Sequence, residues 1–409
     1  IDLYNIKAEW SKKVFEAHLA SRPPLKRMLD TGGQVLNTSR AILTSMDLSA
    51  VLRQGGFIGL GNPIRAARNI GPMLRAFTSD DVAKASLKRL KQRDNWRNYV
   101  MAGLYVSETD QTKMSTQEEA FMSRWVDKIP GGAKGLFVGS LVRGSQRAYL
   151  TFLNNLRADT FDSLLNQLQK GPTPTREEME SLARYINVAT GRGDLGKGAF
   201  NQAAVGLNTI FFAPRLVVSR FQIIGGMPIF KATGRTKALV LQEYAKFIMG
   251  AAIVYALAGM AQDDDDKPLE FDPRSSDFLK IRYGDTRVDP LGGLIQSTVF
   301  VSRIISGEKK AASGKIVPIR DTFRLPNLFR EVAKTDKVPY GGSNVFDVGS
   351  AFMRTKFSPA FGGAVDLVTG ENVIGETVTP ADVAYKMVIP MSFNDASEVI
   401  EAHGMPKGP

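Results

Sequence analysis

Apolar residues recur every three or four positions through much of the chain, the period of an amphipathic helix. In residues 4–21, Trp10, Val14, Phe15 and Leu19 keep that spacing, and Pro23 and Pro24 end the segment. Residues 34–46, 63–77 and 80–93 read as further helices, with Asn62-Pro63 and Ser79-Asp80 as start signals that place a capping oxygen before the first turn. Thr116 to Glu119 and Thr175 to Glu178 fit the capping box, in which Thr and Glu satisfy each other's orphan amides. The longest periodic stretch is 140–169, where Tyr149, Phe152, Leu153, Leu156, Phe161, Leu164, Leu165 and Leu168 form one stripe. Arg143, Arg147, Asn154 and Arg157 fall off it, which predicts a core helix with a solvated face.

Gly171-Pro172-Thr173-Pro174 breaks the pattern, and a second helix, 176–190, carries Met179, Leu182, Ala183 and Ile186 on one side. The glycine-rich stretch Gly191 to Gly198 marks a subdomain boundary. From 205 to 261 the chain turns apolar and small, and its longest run without a charge is Phe247 to Gln262. As a helix that run is about 24 Å long, short of a hydrocarbon core of about 30 Å. It stops at Asp263 to Asp266.

Beyond it, Phe278 to Tyr283 and Thr286 to Asp289 flank Gly284-Asp285, a two-residue turn that closes hairpins. That loop sets Ile281 opposite Val288 and Arg282 opposite Arg287. Leu279, Ile281, Tyr283 and Val288 then share an apolar face, and Lys280, Arg282 and Arg287 the other. Like charges directly opposed repel, so this face needs an anionic partner: the aspartate tract, Asp277, nucleic acid or lipid. The expected architecture is mainly α, a multi-helix bundle-like assembly with a small β-hairpin near 278–289. It divides into a helical region at 1–190, a connector with an apolar segment at 191–270, and a hairpin with short helices at 271–409.

Composition narrows the chemistry more than the fold. The 409 residues carry 53 Lys+Arg against 41 Asp+Glu, a net charge of +12 that favours nucleic acid, anionic lipid or an acidic protein. Cysteine is absent and histidine is limited to His18 and His403, which excludes disulfides, thiolate metal sites and any multi-histidine site within the chain. No signal peptide opens the chain. The first residue is Ile1 and the last six, Gly404 to Pro409, are turn-like, so the chain is expected to be a piece of a longer protein.

Gly191 to Gly198 nearly spells a phosphate-binding loop. Gly198 stands where a hydroxyl must hold magnesium, and a helix rather than a strand precedes it, so nucleotide hydrolysis is rejected. A nest of backbone amides for an anion, or a plain helix connector, remains. The pairs Glu118/Glu119 and Glu177/Glu178 lie in first helical turns, where acids favour the helix dipole without any catalytic role. The aspartate tract lacks the ligand alternation of a calcium loop. In the segment 80–97, Lys84, Lys88, Arg89, Lys91, Arg93 and Arg97 precede or flank Trp96 and Tyr99. Basic residues interleaved with aromatics suit phosphate contact and stacking, and an ordinary solvated helix accounts for them as well.

Several phrases then carry a family likeness: Asp47 to Gly56, Tyr185 to Gly193, Phe211 to Arg215, Asp272 to Phe278, Asp289 to Gly293, Phe357-Ser358-Pro359 and Val388 to Ser392. As a set they resemble the large polyvalent protein-associated domain (type 38) of tailed bacteriophages, from about residue 40 to the end. The resemblance implies a module of very long phage proteins that are packaged and injected with the genome, some of which bear enzymes in other modules. It carries over no catalytic residue.

The expected function is a non-enzymatic internal virion (ejection) protein without cofactor or metal, held in the particle interior and delivered to the host envelope. Its expected partners are other virion proteins and copies of itself, with DNA and the host membrane as further candidates. The anion-binding candidates are Arg282, Arg287, Lys280, Lys88, Arg89, Arg93 and Arg97. Phe247, Ile248, Ile253, Val254 and Leu257 are the candidates for subunit packing or membrane contact. The alternatives are a static portal or tail component, and a structural module of a larger enzyme-bearing phage polyprotein.

Overall fold

The computed structural model describes residues 49–107, 132–196, 211, 213–260, 269–283, 286–311, 313–320, 343–372 and 377–383. The helices expected at 4–21 and 34–46, the capping box at Thr116, the aspartate tract, Gly198, His18 and His403 lie outside them.

The fold is mainly α. Its first layer comprises α1 (Ser49–Gly61), α2 (Pro63–Thr78), α3 (Asp80–Lys91), α4 (Trp96–Ala102), α5 (Gly132–Leu168) and α6 (Arg176–Ala189). Thr175 opens α6 with the reciprocal capping box, and Ser79 accepts from the Val82 amide to open α3. Asn62 does not cap α2. Its amide is drawn away to Glu243 at 2.8 Å, and Pro63 alone sets the first turn.

The centre is α5, 37 residues and about 55 Å long. Among its described side chains the solvated face expected on it is not seen, because helices close on it from several sides. Asn154 and Arg157 are buried, and Arg157 is fully so. Asn154 instead clamps the backbone of Ser107, accepting from its amide and donating to its carbonyl, both at 2.8 Å. Arg157 donates Nε to Thr190 Oγ1 at 2.7 Å and lies 5.2 Å from the Tyr105 ring centroid. Burying these groups is tolerable because the helix end and loop beside them supply polar partners. Arg147 likewise donates to the carbonyls of Ala76 and Phe77, at the end of α2.

After α6 come α7 (Pro214–Ile224), the single turn α8 (Met227–Phe230) and α9 (Thr236–Met260). One continuous cluster of buried side chains includes Phe57, Leu153, Phe161, Ile186, Ile223, Val240 and Leu294. The cluster takes residues from either side of the boundaries expected near 190 and 270.

The hairpin forms as β1 (Ile281–Tyr283) and β2 (Thr286–Val288), with Ile281 opposite Val288 and Arg282 opposite Arg287, the register expected from a two-residue turn. The first strand is shorter than the sequence suggested. Leu279 adopts a left-handed backbone, φ 52°, which ends the extended run, and its amide donates to Glu270. The chain continues through α10 (Leu294–Ser306), β3 (Glu308–Lys310), β4 (Ile316–Arg320), β5 (Ser343–Asn344), α11 (Val345–Arg354) and α12 (Pro359–Thr369). β3 pairs antiparallel with β4, and β4 pairs parallel with β5. Phe221, Phe300 and Phe352 join α7, α10 and α11, the latter two rings stacked 4.4 Å apart.

Candidate functional site

Four places were singled out by sequence, and the structure treats them differently. On α3, Lys88, Arg89 and Lys91 are exposed, as is Arg97 in the first turn of α4. The first three sit in the last helical turn, where positive charge also favours the helix dipole. Arg93 belongs to the core side instead. It bridges Asp159 at 2.8 Å and Asp162 at 3.1 Å on α5, and Asp162 also accepts from Tyr99 Oη at 2.6 Å. Its guanidinium is committed to anchoring the α3–α4 corner, and it leaves the anion-binding set.

The hairpin arginines find their anion within the chain. Arg282 and Arg287 both reach Asp277, at 2.5 and 3.2 Å. Burial pushes the Asp277 carboxyl up, but the two guanidiniums outweigh it and hold it below the ordinary value. Lys280 is half-buried. The apolar face is less complete than its pattern suggested: Ile281 is buried, whereas Val288 is 43% exposed.

Over its described residues, 191–196, the glycine-rich connector offers little to an anion. Its amides are already used: Arg192 donates to Asn187, Gly193 to Arg215, Asp194 to Gln222 and Gly196 to Asp194. Gly193 is pressed against α7, where a β-carbon would lie 2.5 Å from the Arg215 carbonyl oxygen. Residues 191–196 thus pack closely between the end of α6 and α7.

The strongest exposed feature is α9. Its inner side is fixed by polar and close contacts. Glu243 is buried, pairs with Lys246 at 2.6 Å and accepts from Asn62 at 2.8 Å. Gly250 lets α9 touch the end of α1, where a β-carbon would collide with the Leu60 carbonyl. Phe247, expected on the outer face, turns inward and stacks on Phe57 at 4.3 Å. Val254 is half-buried. Ile248, Ile253 and Leu257 are 63%, 58% and 60% exposed, and Leu241, Met249 and Met260 join them. Among the described residues α9 is the one helix long and apolar enough to cross a membrane, and only 17% of its most apolar window is buried. Large apolar side chains gathered on one uncovered helix face are unusual on a free surface and mark contact with another apolar body.

A second cluster was not foreseen. Arg220 on α7 is 4% exposed and donates to the Arg53 carbonyl. Burial lowers its pKa to about 10. Burial, with the charge of Arg220, lowers Lys356 to about 8. Asp289 accepts from the amides of Leu291 and Gly293 at 2.9 and 3.0 Å, and burial raises its pKa. The available signal was the position of Arg220, four residues after Leu216 and three before Ile223, on an otherwise apolar helix stripe.

Among the described residues no three or more His, Cys, Asp or Glu side chains gather where they could hold a metal. No protein-family model matches the chain, and no curated protein or solved structure matches it significantly.

Proposed function

We propose that this chain is a non-enzymatic internal virion protein of a tailed phage, or a module of one, within an assembly that delivers the genome into the host. The observation that carries this reading is the uncovered apolar face of α9, with Ile248, Ile253 and Leu257 outward, on a chain of net charge +12. An exposed apolar helix on a basic chain suits contact with an anionic envelope or with other copies in a conducting assembly, followed by contact with phosphodiesters. The resemblance to the type 38 polyvalent-protein domain supports the phage setting.

Flotation with vesicles of phosphatidylglycerol and phosphatidylethanolamine tests the envelope contact. Co-flotation that is lost in Ile248→Asp/Leu257→Asp is expected. Failure to float in every oligomeric state would sink the membrane part.

One observation favours a second reading, a static portal or tail component held by protein contacts. From Phe247 to Met260 α9 has 14 residues without a charge, about 21 Å of helix and too little for a full bilayer core. Mass spectrometry of intact and DNA-emptied particles separates the two, since an ejected protein leaves the particle and a static one stays.

A further inference from the structure

Helix α2 is inverted relative to an ordinary surface helix. Its inner side, against α5, carries polar groups. Arg65 donates to Ser163 Oγ at 2.8 Å, and the buried Asn69 donates to Asp159 Oδ2 at 2.9 Å. Met73 and Ala76 are buried on the same side, and Arg147 of α5 holds the Ala76 and Phe77 carbonyls at its end. The outer side carries Ile64, Leu74 and Ile70, which are 71%, 53% and 44% exposed. A helix on a free surface places its aliphatic side chains inward and its polar ones outward. The hydrogen bonds to α5 fix the rotation of α2, so its aliphatic residues cannot turn inward.

The outer side is also cationic. Arg68 and Arg75 are about two turns apart and form one row beside Ile64. Both are exposed, and among the described residues neither guanidinium has a hydrogen bond or an ion pair. No residue of α2 is acidic. Carboxylates begin with Asp80 and Asp81 at the start of α3, and Asp80 is paired with Lys84 at 2.6 Å. The same face of a second copy would therefore bring no counter-charge to the arginines. A nucleic-acid backbone would bring it, but would leave Ile64, Ile70 and Leu74 in water. A surface of anionic lipid supplies both needs: phosphate at the level of the guanidiniums, and an acyl boundary beneath it for the aliphatic side chains.

We propose that the outer face of α2 binds an anionic lipid surface, with the helix lying in the plane of the headgroups. Ile64, Ile70 and Leu74 enter the acyl boundary, and Arg68 and Arg75 reach headgroup phosphates. Exposed aliphatic side chains gathered on one helix face mark contact with an apolar body, and the arginines among them select one with a negative surface. The contact is separate from the α9 face and does not rest on the phage reading. It requires only α2, held as it is by α5.

The chain has no cysteine, so single-cysteine variants report on this face directly. Ile64→Cys, Leu74→Cys and, as a control at an exposed position of α3, Ala85→Cys are labelled with an environment-sensitive fluorophore and mixed with vesicles. An Ile248→Ser/Leu257→Ser background weakens any contact made through α9. On vesicles of phosphatidylglycerol and phosphatidylcholine, the two α2 labels should shift to the blue and become shielded from iodide, and the α3 label should not. Pure phosphatidylcholine should produce neither change. Arg68→Gln/Arg75→Gln should weaken partition to the anionic vesicles roughly thirtyfold, the loss expected for two surface cations, with Tm unchanged in lipid-free buffer. Labels on α2 that stay in water on anionic vesicles, that shift equally on both vesicle types, or that shift no more than the α3 label would overturn the proposal. So would shielding by a rise in protein concentration alone, which assigns the face to a second copy, or by duplex DNA alone, which assigns it to nucleic acid. Unshifted α2 labels on a chain that floats through an intact α9 would sink this inference and leave the α9 contact standing.

Discussion

Gly250 fixes how closely α9 approaches α1, and it does so by having no side chain. A β-carbon there would collide with the Leu60 carbonyl, which belongs to backbone and cannot swing aside. Gly259, two turns on, has open space around its β-position. Gly250→Ala should therefore destabilise the chain by about 1–3 kcal/mol through forced displacement. Gly259→Ala should be neutral or stabilise by up to about 1 kcal/mol through helix propensity. Urea midpoints of the two variants check this, and equal shifts would show that the helices do not touch as described. The sequence displays both glycines alike. Only the partner helix distinguishes them. The same holds for Arg157, whose place off the apolar stripe of α5 predicted solvent, yet which the tertiary packing encloses beside Thr190 and Tyr105.

At the scale of elements, the hairpin shows how far local rules reach. The two-residue turn determined the register, and repulsion between Arg282 and Arg287 implied an anion. Asp277 supplies it, five residues before Arg282 in the chain and hence available to sequence reasoning as one candidate among several. Arg282→Ala should lower stability by about 1–2 kcal/mol, because a half-buried charged hydrogen bond is lost and Asp277 keeps only the more exposed Arg287. Arg287→Ala should cost less. Thermal melts of both variants decide the matter, and a rise in Tm for either would mean that repulsion dominates and the true partner is external. Helix α9 is the opposite case. Its composition announced an apolar segment, but not that Phe247 would turn inward while Ile248 and Leu257 stayed out. That division follows from the two contacts with α1.

For the whole molecule, acid sensitivity follows from carboxylates held by cations. Arg235 holds Glu178 below its ordinary value, Lys310 does the same for Glu270, and Arg274 lowers Asp272 to about 2. Each has a folded pKa beneath its unfolded one, so the folded state binds fewer protons and the stability they add is present above about pH 4.5. It is lost as pH falls from there toward 2. Asp289 works the other way, since its raised pKa makes protonation favour the folded state. With Asp277, also held below its ordinary value by Arg282 and Arg287, four groups against one predict a net fall in Tm between pH 5 and pH 2. Asp272→Asn should flatten part of that slope, and a melting series with an unchanged slope would show that Asp272 contributes nothing to it.

The sequence by itself determined the helical class, the caps at Ser79 and Thr175, the hairpin register and the basic balance of the chain. Each depends on residues within a few positions of one another, or on composition, so no long-range contact was needed. Only the tertiary structure decided which side of α5 and α9 would be covered, where Arg93 would be spent, and that Arg220 would be buried. Those outcomes depend on which helices meet across scores of intervening residues. The glycine-rich connector divides in the same way. Its missing hydroxyl was legible at Gly198, whereas the commitment of its amides to Asn187, Arg215 and Gln222 required the neighbouring helices to be in place.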